Sequence, residues 1–216
     1  MTFTSRWTAA GAAPLVIAAV AAGCATAPAV DYDKVALDMI KGSFRAQGQA
    51  GIERLQQDEA QRICSGPAPS PADLKRIETT ELATVKPPPS GRYIGDWREG
   101  EKLAQNGRGM TWTDPSDKPS ANGASCYNCH QMSKAEISFG TIGPSLYNYG
   151  KLRGVNDPAD PASAPIVQYT WGKIWNAKAY SACSEMPRFG HAKVLSEQQI
   201  QDLMALLLDP KSPVNQ

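Results

Sequence analysis

Residues 126–130, Cys-Tyr-Asn-Cys-His, constrain this chain more than any other stretch, because they place two thiols and an imidazole side by side. Two intervening residues set the thiols of Cys126 and Cys129 at the separation of the two vinyl groups of a haem, and His130 can present its imidazole to the iron. A thioredoxin-like dithiol and half of a zinc site are the alternatives. A zinc site needs a second Cys/His pair, yet the only other histidine is His191. The motif therefore predicts one covalently attached haem c.

The second axial position of the iron can be filled by a thioether, an imidazole or a thiolate. The candidates are Met110, Met132, Met186, Met204, His191 and Cys183. Met132 is too close to His130 to reach the opposite face of the haem, and Met204 lies on the apolar stripe of a helix. Met110 belongs to a glycine-rich stretch before the motif. We therefore favour Met186, which follows His130 by 56 residues in a proline-containing loop, and the imidazole and thiolate candidates stay as alternatives.

Gly143-Pro144 is a second feature with a possible role at the iron. A backbone carbonyl near such a proline could accept the N–H of the His130 imidazole, which would fix the tautomer and raise the basicity of the ligand. An ordinary turn is the alternative interpretation of the same residues.

Residues 1–23 have the pattern of an export signal, with Arg6 in a short polar start and an almost wholly apolar run before Cys24. The run is too short to span a bilayer comfortably. The residues up to Cys24 resemble a bacterial lipobox, in which the cysteine becomes the lipidated first residue. We therefore expect a periplasmic protein that can be anchored to the membrane through Cys24, with cleavage after Ala27 and a soluble product as the alternative.

The five cysteines of the chain fall into three groups. Cys24 belongs to the signal or the anchor, and Cys126 and Cys129 belong to the haem motif. Cys64 and Cys183 remain, and leftover cysteines in an oxidising compartment are more often paired than free. This predicts a disulfide between them.

Proline-rich stretches divide the rest of the chain. Apolar residues at helical spacing predict one or two amphipathic helices over 31–63, and a Ser-Pro start predicts another over about 70–85. Three prolines at 87–89 mark a stiff linker. We therefore expect a helical extension and linker over 24–90 and a separate domain over 91–216.

The domain over 91–216 is predicted to be mainly α, because strand signals are sparse. A helix is expected over 97–105 and a surface loop over 114–123. The last helix is the best defined, since Ser196 is a good N-cap and Gln199 stands at the capping-box position.

Charge and composition argue against two functional classes. The net charge of +1 rests on 22 basic and 21 acidic residues, and loss of Arg6 with the signal leaves 21 of each. A neutral chain without a basic run does not suit a nucleic-acid partner. With two histidines, the chain is also poorly supplied for acid/base catalysis.

The order of the haem motif, Gly-Pro, Met-Pro and a capped last helix makes residues 91–216 resemble a class I cytochrome c domain. The contexts Thr141–Leu146, Tyr169–Trp175 and Met186–Gly190 are more closely similar to SoxX, the monohaem subunit family of the SoxAX cytochromes. The resemblance covers residues 91–216, whereas the segment before them departs from the shortest members of that family.

The resemblance implies a heterodimer with a SoxA-like cytochrome subunit. In this complex the chain would accept electrons when thiosulfate is joined oxidatively to a cysteine of a SoxYZ-like carrier, and would pass them to a downstream acceptor. It implies that Cys126 and Cys129 attach the haem and that His130 and Met186 ligate its iron. The catalytic site for L-cysteine S-thiosulfotransferase activity would lie on the partner. A soluble monohaem shuttle to a terminal oxidase and a haem sensor are the alternatives.

Overall fold

The computed structural model describes residues 29–136 and 139–216, so the predicted export signal and Cys24 lie outside the described residues. Within the described chain no strand is formed beyond a single bridge between Gln47 and Ala50. The α-helices are α1 (Tyr32–Ser43), α2 (Glu59–Cys64), α3 (Pro71–Leu82), α4 (Trp97–Gln105), α5 (Tyr149–Leu152), α6 (Ala164–Trp175) and α7 (Glu197–Leu208). The prediction of a mainly α fold is confirmed.

The described chain divides into two units, one that ends at Phe44 and a second, compact one over Arg45–Gln216. Helix α1 belongs to the first unit and begins after Asp31, whose carboxylate accepts a 2.9 Å hydrogen bond from the backbone N–H of Lys34. No residue of α1 is buried. Its larger apolar side chains are exposed: Tyr32, Val35, Leu37, Met39 and Ile40.

The core of the second unit forms where α4 crosses α7. Gly100 lies at the crossing, and a β-carbon there would meet the backbone of Asp202 and the Cβ of Leu206. Helix α7 begins with the predicted capping box, because Ser196 and Gln199 each bond to the other's backbone N–H. Nine of its twelve residues are buried, so this helix is the centre of the core.

The sequence pattern does not predict helix α6. Its N-cap, Ser163, makes no side-chain capping bond, and its buried residues include Thr170 and Gly172, which are weak helix formers. Packing therefore determines this helix more than local propensity does: Trp171 stacks on Trp175, with ring centroids 5.8 Å apart.

Residues 45–90 pack within the second unit. A small cluster of buried side chains joins α2 and α3 to Ala182, and the disulfide between Cys64 and Cys183 lies beside it, with the two Cα atoms 5.4 Å apart. The disulfide predicted from the sequence is therefore present in the structure. The linker is also held, because the indole N–H of Trp171 donates a 2.7 Å hydrogen bond to the carbonyl of Lys86. The compact unit thus begins at Arg45, whereas the sequence pattern places a domain boundary at 90/91.

Candidate functional site

The two cysteines and the histidine of the predicted haem motif lie on one tight turn. Ser125 has a left-handed backbone conformation, with φ of 54°, and a 3₁₀ turn over Cys126–Asn128 follows it. The backbone N–H groups of Cys129 and His130 then donate to the carbonyl of Cys126 over 3.1 and 2.9 Å. Both cysteines are half-buried, and their sulfurs are not joined to each other. The turn therefore presents two separate thiols and one imidazole from a short stretch of backbone.

The imidazole of His130 is fixed by the Gly-Pro segment that follows. Its Nδ1 lies 2.7 Å from the carbonyl oxygen of Pro144, which makes Nδ1–H the donor because a carbonyl can only accept. The tautomer with the proton on Nδ1 leaves Nε2 with a free lone pair, as a metal ligand requires. Gly143 allows this approach, since a β-carbon there would lie 2.5 Å from Nδ1 and 2.6 Å from Nε2.

The surroundings of Cys126 differ from those of the cysteines in dithiol enzymes. A dithiol enzyme needs a thiolate, and such cysteines usually open an α-helix whose dipole lowers the pKa. Here Cys126 begins only a three-residue 3₁₀ turn, and burial of its thiol raises the pKa of Cys126 to about 12. The short turn and the raised pKa both argue against a thioredoxin-like dithiol.

Partly buried apolar side chains pack at the edge of the main core, as Cys126 does. Tyr127, Leu146, Trp175 and Met186 are each partly buried and pack against the same core cluster as Cys126. A flat apolar cofactor needs such a lining, because burial of its surface supplies most of the binding free energy. The donors present, two thiols and an imidazole, therefore fit the predicted haem, and the core edge that Cys126 contacts is apolar.

The structure separates the methionine candidates for the second axial position. Met132 and Met204 are 1% and 0% exposed, which makes them core residues. Met110 is 38% exposed and has a left-handed backbone, with φ of 64°. Met186 is partly buried at the edge of the core that Cys126 also contacts. Met186 is therefore neither a fully buried core residue nor an exposed one, and its ligation of the iron stays a prediction.

The two candidates for the second axial position that are not methionines, Cys183 and His191, each contact another residue. Cys183 forms the disulfide with Cys64 and so offers no thiolate. His191 is exposed, and its Nδ1 lies 3.1 Å from the hydroxyl of Thr84. These contacts favour the thioether of Met186 over the thiolate and imidazole alternatives.

Sequence reasoning missed the residues that hold the loop of Met186. Arg188 forms ion pairs with Asp58 and Glu81, and Asn176 donates a 2.6 Å hydrogen bond to Glu81. Asp58 and Glu81 precede Arg188 by 130 and 107 residues, and no periodicity or spacing links carboxylates so remote to one arginine.

No protein-family model matches the chain. Over 162 residues the chain is 36% identical to an uncharacterized lipoprotein of Aquifex aeolicus (strain VF5), and the match covers 74% of this chain and 73% of that protein. The chain therefore belongs to the same family as this lipoprotein. In the described parts of the structure no helix combines the length and the apolar character needed to cross a bilayer.

Proposed function

We propose that this chain is a monohaem c-type cytochrome, with the haem attached through Cys126 and Cys129 and its iron held by His130 and Met186. The observation that carries the proposal is the 2.7 Å contact between His130 Nδ1 and the carbonyl oxygen of Pro144. That contact orients the imidazole and reserves Nε2 for a metal, and an imidazole ligand of iron typically has such a partner. Two unpaired thiols on the preceding turn complete the attachment chemistry.

The residues of the chain would set the properties of the site. The bound haem supplies a one-electron redox centre. The hydrogen bond from His130 fixes the tautomer and orientation of the imidazole, and a thioether from Met186 favours a higher reduction potential than a thiolate would. The apolar core edge, which Leu146 and Trp175 share with Cys126, would limit the access of water to the bound haem. Such a site accepts electrons from a substrate-oxidising partner and releases them to a higher-potential acceptor.

Within this class we infer an electron-transfer subunit of the SoxAX type. The chain would accept electrons while thiosulfate is conjugated oxidatively to a cysteine of a SoxYZ-like carrier, and a SoxA-like partner would hold the catalytic site. The sequence contexts Thr141–Leu146 and Met186–Gly190 support this inference. The periplasm, where the predicted export signal directs the chain, is the expected compartment.

The first experiment tests the haem and its ligands. Full-length protein purified from cells that mature c-type cytochromes should have the mass of one added haem and a weak near-infrared band of thioether-ligated ferric haem. Met186→Leu, which conserves volume, should remove the band and retain the haem. Met110→Leu is the matched control and should retain both. A band that survives Met186→Leu contradicts the proposed ligand.

The second experiment tests the partner. Protein pulled down from membranes should bring a second haem-containing subunit with it, and thiosulfate with the carrier should reduce the haem of the assembled complex. A monomer that thiosulfate never reduces under these conditions contradicts the sulfur-oxidation proposal and favours a shuttle to an oxidase. Rapid binding of carbon monoxide to the resting ferrous protein would instead favour a haem sensor.

We also propose that Cys24 is lipidated, and the lipoprotein relative from Aquifex aeolicus supports this. Cys24→Ala should move the exported protein from the membrane fraction to the soluble fraction, because the thiol that receives the lipid is gone. Gly42→Ala is the control, because its added β-carbon would meet nothing within 4 Å, and it should leave the fractionation unchanged. If wild-type protein is already soluble, cleavage after Ala27 becomes the better interpretation.

A further inference from the structure

The loop that carries Met186 is held by residues from the segment before residue 91. Its N-terminal side is fixed covalently through the disulfide between Cys183 and Cys64, the last residue of α2. Its C-terminal side is fixed by Arg188, whose guanidinium pairs with Asp58 at the N-cap of α2 and with Glu81 in α3. Both tethers lead to the same pair of helices.

The ionic tether is partly enclosed and therefore geometrically specific. The side chains of Arg188 and Glu81 are only 15% and 11% exposed, and Nη1 of Arg188 lies 3.5 Å from Oε1 of Glu81. Asn176 donates to the other oxygen of Glu81 over 2.6 Å. Charged groups this far from water persist only when they are paired and hydrogen-bonded, so loss of one partner leaves an uncompensated charge. The planar fork of arginine also fixes direction, which a lysine would not.

Met186 is close in sequence to both tethers, so they also restrict its position. Cys183 and Arg188 are five positions apart, and Met186 lies between them. Pro187 has a restricted φ and separates Met186 from Arg188, so little freedom remains between the ligand and its tether. Beyond the loop, the backbone N–H groups of Gly190 and His191 donate to the carbonyl of Trp175 over 3.1 and 3.0 Å.

We propose that Arg188 is a positioning residue, which holds the thioether of Met186 at the iron by tying its loop to α2 and α3. The inference rests on the proposed haem ligation and assigns a role to the segment before residue 91. On this account, α2 and α3 form a brace for the distal ligand.

The test compares Arg188→Gln with Arg76→Gln in full-length, haem-loaded protein. Arg76 is the matched control because it also joins α3 to α2, through Glu59, and pairs with Asp73 within α3. Its side chain is about half exposed, and it contacts neither Arg188 nor the disulfide in these pairs. In Arg188→Gln, the fraction of ferric protein without the thioether band should rise about tenfold or more, since removal of one partner from a buried pair is strongly destabilising. Arg76→Gln should keep the wild-type band.

Other measurements separate a positioning role from general damage. Haem content and the far-ultraviolet circular dichroism of Arg188→Gln should match wild type, while amide hydrogen exchange at Gly190 and His191 should become faster. Arg188→Lys keeps the charge without the fork and should give an intermediate loss of the band. If Arg188→Gln fails to accumulate, Glu81→Gln gives the same comparison.

The outcomes distinguish this inference from the proposed function. A wild-type protein that lacks the thioether band contradicts the proposed ligation itself. A wild-type band that persists unchanged in Arg188→Gln and in Glu81→Gln overturns the positioning role and leaves the ligation intact.

Discussion

Gly143 lies directly against the imidazole ring of His130, so closely that a β-carbon at position 143 would lie 2.6 Å from Nε2. The ring stays in place because glycine has no side chain at this position, and Pro144 next to it then receives the Nδ1–H hydrogen bond at 2.7 Å. Orientation of the imidazole therefore depends on a backbone contact as well as on a hydrogen bond.

Gly143→Ala should displace the His130 ring and weaken its bond to iron. We expect less haem-loaded protein and a ferric spectrum that shows mixed or high-spin iron, measured by haem stoichiometry and absorbance. Gly66→Ala is the control, because its β-carbon would meet the carbonyls of Arg62 and Ile63 at an ordinary 3.6 Å. Equal spectra for Gly143→Ala and wild type would contradict a role for the imidazole at the iron.

Replacement of Cys64 and Cys183 by alanine should lower the free energy of unfolding. The disulfide spans 119 residues, and the chain-entropy account gives a loss of up to about 4–5 kcal/mol for a loop of that length. Guanidinium unfolding of the double variant and of oxidised wild type measures the difference. Coincident unfolding curves, or free thiols in unreduced peptide maps, would show that the disulfide does not contribute.

The ion pair between Asp58 and Arg188 predicts a pH-dependent stability. Partial burial alone would raise the pKa of Asp58, but hydrogen bonds from Gln61 and Arg188 and the charges of Arg188 and Lys178 outweigh it, so the pKa lies below its ordinary 3.8. A depressed carboxyl pKa stabilises the folded state above the unfolded pKa, and this stability is lost as the pH falls through the folded value.

Asp58→Asn isolates this effect, because asparagine is an equally good N-cap. Since 40% of the Asp58 side chain is exposed, solvent screening limits the loss at neutral pH to about 1 kcal/mol. The difference from wild type should shrink as the pH falls below 3.8. Urea unfolding at a series of pH values measures it, and a difference that stays constant into acid would rule out the ion pair as its source.

Local signals explain which helices the sequence predicted well. The helix over 97–105 and the capping box of Ser196 and Gln199 depend on residues three or four positions apart, and both match the structure. Helix α6 lacks a side-chain cap and is stabilised by contacts such as those of Trp171. Propensity and periodicity describe only neighbours in sequence, so they do not predict a helix that distant packing stabilises.

The candidate site shows the same division between local and distant information. The contact of His130 with Pro144 joins residues 14 positions apart, and the Gly-Pro pair made it a testable expectation. Arg188 meets Glu81 across 107 residues, and many carboxylates in the sequence could have been its partner. The sequence therefore does not predict that α2 and α3 form a brace for the Met186 loop, because this depends on the fold that places both helices beside the loop.

Gly100→Ala tests the helix crossing on which the core depends. A β-carbon at Gly100 would collide with the carbonyl of Asp202 and would approach the Cβ of Leu206 to 3.1 Å, so α4 and α7 must move apart. Alanine favours a helix by about 0.5–1 kcal/mol over glycine, whereas overpacking costs about 1–3 kcal/mol. We therefore expect a net loss of stability, measured as a lower denaturant midpoint. Gly66→Ala should stay within about 0.5 kcal/mol of wild type, as exposed substitutions usually do. A Gly100→Ala protein more stable than wild type would show that the helix axes are not in the close contact described.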